Sequence, residues 1–395
     1  MMMQKKMMVL ALSAGMFVSL AALADSANIT LYGVANMSYD LADNGTAANG
    51  TAGTRTNKVS SNASRIGFKG SEDLGNGLSA VWQVESRVDM DNAGGTFGTR
   101  NTFAGLSGKE WGTLVLGRND NPYKLATGRL DVFRDSMGDN RALMGGAFRN
   151  IFRNSYLGFD ARPTDGVFYT SPAWSGFAIS AAYTAGAESA TASTSLKGQS
   201  WSLAGNYETG PLFASVAYQA NDIGGTGTGS NAGNNGAGTL GVTEKAWKLG
   251  AGYKMEDAGL DLGFAYEKTS DNFRTTGSVV TCASGSTDAT DCYGHSAWSL
   301  AGKYKLADGA IKLAYNKAGK LGNTTATGAR QWALGYDHSL SKRTNLYAIY
   351  TKINNDSGAS YGVGAHDAGV NTGFVDPVGA GASPSAVSLG MKHSF

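Results

Sequence analysis

Nine short segments between residues 177 and 350 carry apolar residues at every second position, and that period restricts this half of the chain to strands. One set starts apolar and ends in tyrosine: Phe177-x-Ile179-x-Ala181-x-Tyr183, Leu212-x-Ala214-x-Val216-x-Tyr218, Leu260-x-Leu262-x-Phe264-x-Tyr266, and the shorter 311–315 and 346–350. The other set starts at tryptophan: Trp201-x-Leu203-x-Gly205-x-Tyr207, Trp247-x-Leu249-x-Ala251-x-Tyr253, Trp298-x-Leu300-x-Gly302-x-Tyr304 and Trp332-x-Leu334-x-Tyr336. The two sets alternate along the chain, so their strands run in opposite directions and the aromatics collect at both edges of an apolar band. A soluble β-sandwich would bury those aromatics in its core. Two aromatic girdles flanking an apolar band are instead the pattern of a transmembrane β-barrel.

Composition agrees with that reading. After residue 25 no stretch is apolar enough for a membrane helix, and mean hydropathy is −0.20. Alternation spreads the hydrophobicity thinly, so an average hides it. Lys5 and Lys6 precede an apolar run at 7–23, and Ala22-Leu23-Ala24 fits a small-residue cleavage site. Residues 1–24 therefore read as a secretory signal peptide and 25–395 as a single barrel domain. Removing Lys5 and Lys6 from the 33 basic residues balances the 31 acidic ones, which leaves no global field for nucleic acid. Cys282 and Cys292, the two cysteines, lie in a polar Ser/Thr/Gly/Asp stretch and suggest one loop-clipping disulfide in an exported protein. The local sequence offers too few ligands for a metal, and no cofactor is expected.

Connections alternate as well. Tight turns such as Asp73-Leu-Gly-Asn-Gly77 and Ala307-Asp-Gly309 alternate with long polar loops near 40–61, 119–161, 185–198, 221–244, 270–295 and 354–385. Short turns at one end and long loops at the other match the two ends of an outer-membrane barrel. The pattern yields sixteen antiparallel strands, the first at 29–39, the second at 62–72 and the last at 385–395. In the last, Val387, Leu389 and Met391 alternate with Ser388, Gly390 and Lys392. An even count lets this strand pair with the first and remove both sheet edges.

The ordered motifs resemble the trimeric general porins of Gram-negative outer membranes, most closely the beta-proteobacterial type. The matching stretches are Ile29-Thr-Leu-Tyr-Gly33, Ser64-Arg-Ile-Gly-Phe-Lys-Gly-Ser-Glu-Asp-Leu-Gly-Asn-Gly-Leu78, Arg100-Asn-Thr-Phe-Ala-Gly-Leu106, Gly112-Thr-Leu-Val-Leu-Gly-Arg118, Tyr169-Thr-Ser-Pro172, Leu340-Ser-Lys-Arg-Thr344 and the terminal strand. The resemblance implies a homotrimer in the outer membrane, contact with its lipid and lipopolysaccharide, and passive diffusion of small solutes and ions. It implies that the third long loop, 119–161, folds into the lumen. It also implies that Phe395 is read by the barrel-assembly machinery.

Alternation assigns faces. With Ile66 and Phe68 toward lipid, Arg65 and Lys69 point into the lumen; with Phe103 toward lipid, Arg100 points inward. By resemblance Arg65 and Arg100 match a basic ladder on the porin wall, with Arg118 nearby and Arg162 or Arg153 as the further member. Opposing carboxylates are expected from the loop. Asp131 and Asp135 are four apart, so one helical turn puts them on one face; Asp120 and Asp139 complete the set. Such opposed charges set up a transverse field, and the excess of loop cations predicts a weak anion preference. An enzyme barrel is disfavoured because the histidines at 295, 338, 366 and 393 have no flanking nucleophile signature. A substrate-specific channel and an adhesin or receptor barrel are the remaining alternatives.

Overall fold

The computed structural model describes residues 28–92, 97–145, 159–185, 199–223, 242–270, 294–322, 325–364 and 379–395. The signal peptide, Arg153, Cys282 and Cys292 lie outside these residues. Among the described residues the strands are β1 (Asn28–Asp43), β2 (Arg55–Ser61), β3 (Arg65–Gly75), β4 (Leu78–Arg87), β5 (Thr102–Gly108) and β6 (Gly112–Arg118). They continue as β7 (Gly166–Thr170), β8 (Phe177–Thr184), β9 (Ser200–Thr209), β10 (Leu212–Ile223), β11 (Val242–Met255) and β12 (Leu260–Ser270). The series ends with β13 (Ser296–Leu306), β14 (Gly309–Ala318), β15 (Ala329–Ser339), β16 (Thr344–Asn355) and β17 (Ser385–Ser394). From β3 onward each strand pairs antiparallel with its sequence neighbour, and β17 pairs with β1 from Val34↔Ser394 to Asp43↔Ser385. The sheet is therefore closed.

The seventeen segments make sixteen walls, because β2 and β3 both pair with β1 and form one interrupted strand. The register changes from Met37↔Ser61 to Val34↔Arg65, which inserts an extra residue and creates a bulge. Ala63 there has φ 54°, and Asn62 N–H and the Ser64 hydroxyl both donate to the Asn36 carbonyl. The first connection is thus shorter than the expected 40–61: β1 runs to Asp43 and β2 starts at Arg55. Val59 is the one apolar residue of β2, so alternation had nothing to reveal there.

One face of the sheet is apolar and outward: Leu31, Leu116, Leu203, Leu334 and Leu389 are all more than half exposed. The other face is polar, with Ser202, Gln219, Lys248, Glu267, Gln331 and Thr351 buried at alternate positions of β9–β12, β15 and β16. Such a surface is stable only against lipid, and closure satisfies every wall's hydrogen bonds without water. The register also builds the girdles, since the tyrosine ending one strand meets the tryptophan starting the next. Tyr183–Trp201, Tyr218–Trp247 and Tyr315–Trp332 have ring centroids 4.4, 4.5 and 4.4 Å apart at the loop end. Phe177–Tyr207, at 4.3 Å, belongs to the turn end. At the closure Phe395 N–H donates to Gly33 O and Gly33 N–H to Phe395 O. A Cβ at Gly33 would collide with the Phe395 ring, so this position requires glycine.

Candidate functional site

The polar face of β1 and β3–β5 gathers charge around Glu85. Its Oε1 accepts from Arg100 Nε at 2.5 Å and its Oε2 from the Tyr32 hydroxyl at 3.0 Å, while Arg65 Nε lies 3.8 Å from the carboxylate. Lys69 Nζ stands 5.4 Å from the centre of the Tyr32 ring. Arg65, Lys69 and Arg100 thus share one face, but Arg100 does not reach it by simple alternation from an outward Phe103. Phe103 does not face lipid: it pairs with the inward Gln83 and packs near Val115 and Phe168 on the polar side, while Ala104 and Leu106 face out. Arg100 precedes β5, and the register slips from Val84↔Thr102 to an Arg100 N–H bond with Glu85 O. This slip lets Arg100 and Phe103 share a face despite their odd separation. Arg118 ends β6 half-buried, opposite Thr102.

The connection after β6 begins with α1 (Pro122–Gly128), where proline at the first turn loses no intrahelical bond. Residues 120–145 pack on the polar face of the sheet, and small wall residues make the seats. Leu130 fills a groove over Gly250, Gly252 and Gly263, and Phe133 rests on Ala301, Ala314 and Ala333. Met137, Leu143 and Met144 form an apolar cluster with Ala265, Ala297 and Ile353, joined by Tyr361 and Val363 from the last long connection. A polar latch fixes the start and end of the segment. The buried Tyr123 hydroxyl donates to Glu267 at 2.8 Å, Gly145 N–H donates to the same carboxylate, and Lys248 Nζ bridges Asp160 at 2.6 Å.

The four aspartates do different things. Residues 131–135 are turns, not a helix, so Asp131 and Asp135 do not share a face. Asp131 turns back on its own loop, accepting from Phe133 N–H at 2.8 Å and Asn140 N–H at 2.9 Å. Burial and the neighbouring Asp139 charge push its pKa up to about 7. Asp139 caps a short 3-10 turn at Asn140–Ala142 and pairs with Arg141. Asp135, held at φ 60°, points its carboxylate toward Arg141 at 3.0 Å and Arg65 at 3.9 Å. Asp120 is buried against Lys124 at 2.9 Å and Arg162 at 3.1 Å. Burial alone would raise its pKa, but those two cations outweigh it and hold the carboxyl well below the usual range. Arg162 also donates to Asn101 at 2.5 Å, so it clamps the loop's exit to the approach of β5.

Sequence reasoning passed over Glu85, Lys248 and Glu267. The signal was present: Lys248 alternates with Trp247 and Leu249, and Glu267 follows Tyr266, so both occupy inward positions. Tyr361 and Val363 carried no such signal, because a connection without a period does not say where it packs.

A closed sixteen-strand barrel, apolar outside, girdled with aromatics and charged within, is a membrane-spanning channel scaffold. The chain belongs to the Gram-negative porin family, whose model matches residues 11–358. It is 30% identical over 360 residues to an outer membrane porin protein of Bordetella pertussis, covering 85% of this chain and 83% of that one. It is 28% identical over 402 residues to outer membrane porin protein 32 of Delftia acidovorans, covering both chains fully. Among solved structures, the anion-selective porin from Comamonas acidovorans superposes with TM-score 0.71 at 24% identity, over 94% of this chain and all of that one. This chain is accordingly an outer-membrane porin that spans the membrane many times with strands.

Proposed function

We propose that the polar face lines a water-filled channel for passive diffusion of small hydrophilic solutes and ions, that residues 119–145 narrow it, and that it weakly prefers anions. The observation that carries this is the path of the segment. Among the described residues, its side chains occupy the polar face from β9 round to β1, through Tyr123, Leu130 and Phe133, and meet the β3–β5 wall through Asp135. The narrowest passage then lies between the loop's Asp135 and the wall's Arg65, Lys69 and Arg100. Positive groups outnumber carboxylates on that wall, since Glu85 is already matched by Arg100. Low-dielectric surroundings strengthen the resulting field on a passing ion. The name of the Comamonas relative agrees with this sign. By family likeness the channel works as a homotrimer, without enzymatic chemistry. Reversal potentials in a planar bilayer under a KCl gradient test the selectivity, and a cation-selective sign overturns it. Arg100→Ala lowers the anion preference and alters single-channel conductance; if both stay at wild-type values, the assignment of this wall is wrong.

A further inference from the structure

The inner face of β4–β8 carries an apolar strip. Val115, Phe168 and Ala182 are buried there, with the half-buried Val81 and Phe103 packed against them. The register makes the strip continuous: Val81 is opposite Gly105, Gly105 opposite Val115, Val115 opposite Phe168, and Phe168 opposite Ala182. Each of the other apolar clusters takes in a residue of the 120–145 segment, such as Tyr123, Phe133 or Leu143. No described residue of that segment belongs to this one. A cation adjoins the strip. Lys69 on β3 is opposite Gln83, and Gln83 is opposite Phe103 on the next strand. Neighbouring strands lie about 4.8 Å apart, so Lys69 and Phe103 start about 10 Å apart on one face. Among the described residues Lys69 has neither a hydrogen bond nor an ion pair, and its ammonium stands 5.4 Å from the centre of the Tyr32 ring. Arg65 and Arg100, by contrast, are engaged with Glu85.

An apolar strip on the wall of an aqueous channel is unfavourable wherever water covers it. The unpaired lysine beside it selects the sign of what can displace that water. A solute that satisfies both has a flat apolar body and one carboxylate. Phe103 and Phe168 favour an aromatic body, because rings attract one another offset or edge to face. Gly105 leaves no side chain between Val81 and Val115, so the strip is shallow there and suits a ring laid flat. We propose that this wall holds a subsite for small aromatic carboxylates, with the ring on Val81 and Phe103 and the carboxylate on Lys69. The subsite rests on the reading above that the polar face lines the channel. Half-burying a phenyl ring is worth about tenfold in affinity, which detains such a solute without trapping it.

The test records chloride current through the full-length porin in planar bilayers with sodium benzoate, sodium acetate or benzyl alcohol added. Benzoate should reduce the current saturably, with a half-blocking concentration about tenfold below that of acetate, and benzyl alcohol should block far more weakly than benzoate. Val81→Thr and Phe103→Ser should each raise benzoate's half-blocking concentration several-fold without moving acetate's. Phe103→Leu should keep most of the difference, and the KCl reversal potential should stay unchanged in all three variants. Lys69→Gln should weaken block by both anions. Heat-modifiable gel mobility is the folding control. Val81→Thr keeps the side chain's shape and decides the case if Phe103→Ser does not fold. Equal block by benzoate and acetate in the unmodified porin overturns the proposal, since the strip then only packs the wall. So does benzoate block that is unchanged in Val81→Thr, or benzyl alcohol that acts as strongly as benzoate. A cation-selective reversal potential would instead fault the anion preference proposed above, and the benzoate-to-acetate ratio is read separately from it.

Discussion

Gly263 sits on the polar face of β12 directly beneath the tip of the 119–145 segment, and enlarging it should narrow the channel. A Cβ at this position would stand 2.5 Å from the Leu130 carbonyl oxygen and 3.1 Å from Leu130 Cβ. The nearest atom is backbone, so no rotamer change relieves the contact. β12 is held on both sides by continuous ladders to β11 and β13, so the loop must move. Restoring an ordinary separation displaces Leu130 by about 1 Å for alanine and further for valine. Overpacking of this kind costs about 1–3 kcal/mol, which the closed barrel tolerates. Gly263→Ala should therefore lower single-channel conductance measurably, and Gly263→Val should lower it more. Leu130→Ala acts in the other direction: it empties the groove over Gly250, Gly252 and Gly263 and leaves the tip loosely seated, with noisier and larger openings. Planar-bilayer recording of the folded variants, with heat-modifiable mobility as the folding control, reads both effects. Wild-type conductance in a folded Gly263→Val barrel would refute the claim that this segment bounds the passage.

Two further predictions concern the closure and the loop. Gly33→Ala should impair barrel assembly about as strongly as Phe395→Ala, because the added methyl displaces the Phe395 ring that closes β17 on β1; normal outer-membrane yields of Gly33→Ala would contradict this. Asp131 has a folded pKa of about 7 against roughly 4 when unfolded, so the folded protein holds an extra proton in that window. Its contribution to stability is full below pH ~4 and is lost as pH rises through about 7. Asp131→Asn should flatten the slope of the thermal midpoint over that range, and an unchanged slope would contradict it.

The constriction candidates show where sequence reasoning works and where it fails. Arg65 and Lys69 could be oriented from Ile66 and Phe68 because β3 keeps an uninterrupted period through those residues. Phe103 could not, since the slip between Arg100 and Thr102 breaks the count and only the pairing with β4 reveals it. The same limit applies to the bulge at 62–64 and to β2, whose side chains are too polar to show a face. The four aspartates were identifiable as loop carboxylates by composition alone. That Asp131 serves its own turn, Asp120 clamps Arg162 and Asp135 meets the wall depends on a fold of residues 120–145 that has no repeat to read.

The sequence by itself determined the barrel. A period of two, with aromatics at fixed ends, dictates strand direction, the lipid-facing side where the period is unbroken, and the neighbour of each hairpin strand, because those pairings are local in the chain; the even count adds the long-range closure of β17 on β1. Tertiary structure alone decided the channel's interior. Seats such as Gly263 under Leu130, the Glu267 latch on Tyr123 and the apolar cluster that Tyr361 shares with Leu143 join residues more than a hundred positions apart. Contacts of that kind arise from shape and charge matching between distant segments on the polar face of the sheet, and no local period encodes them.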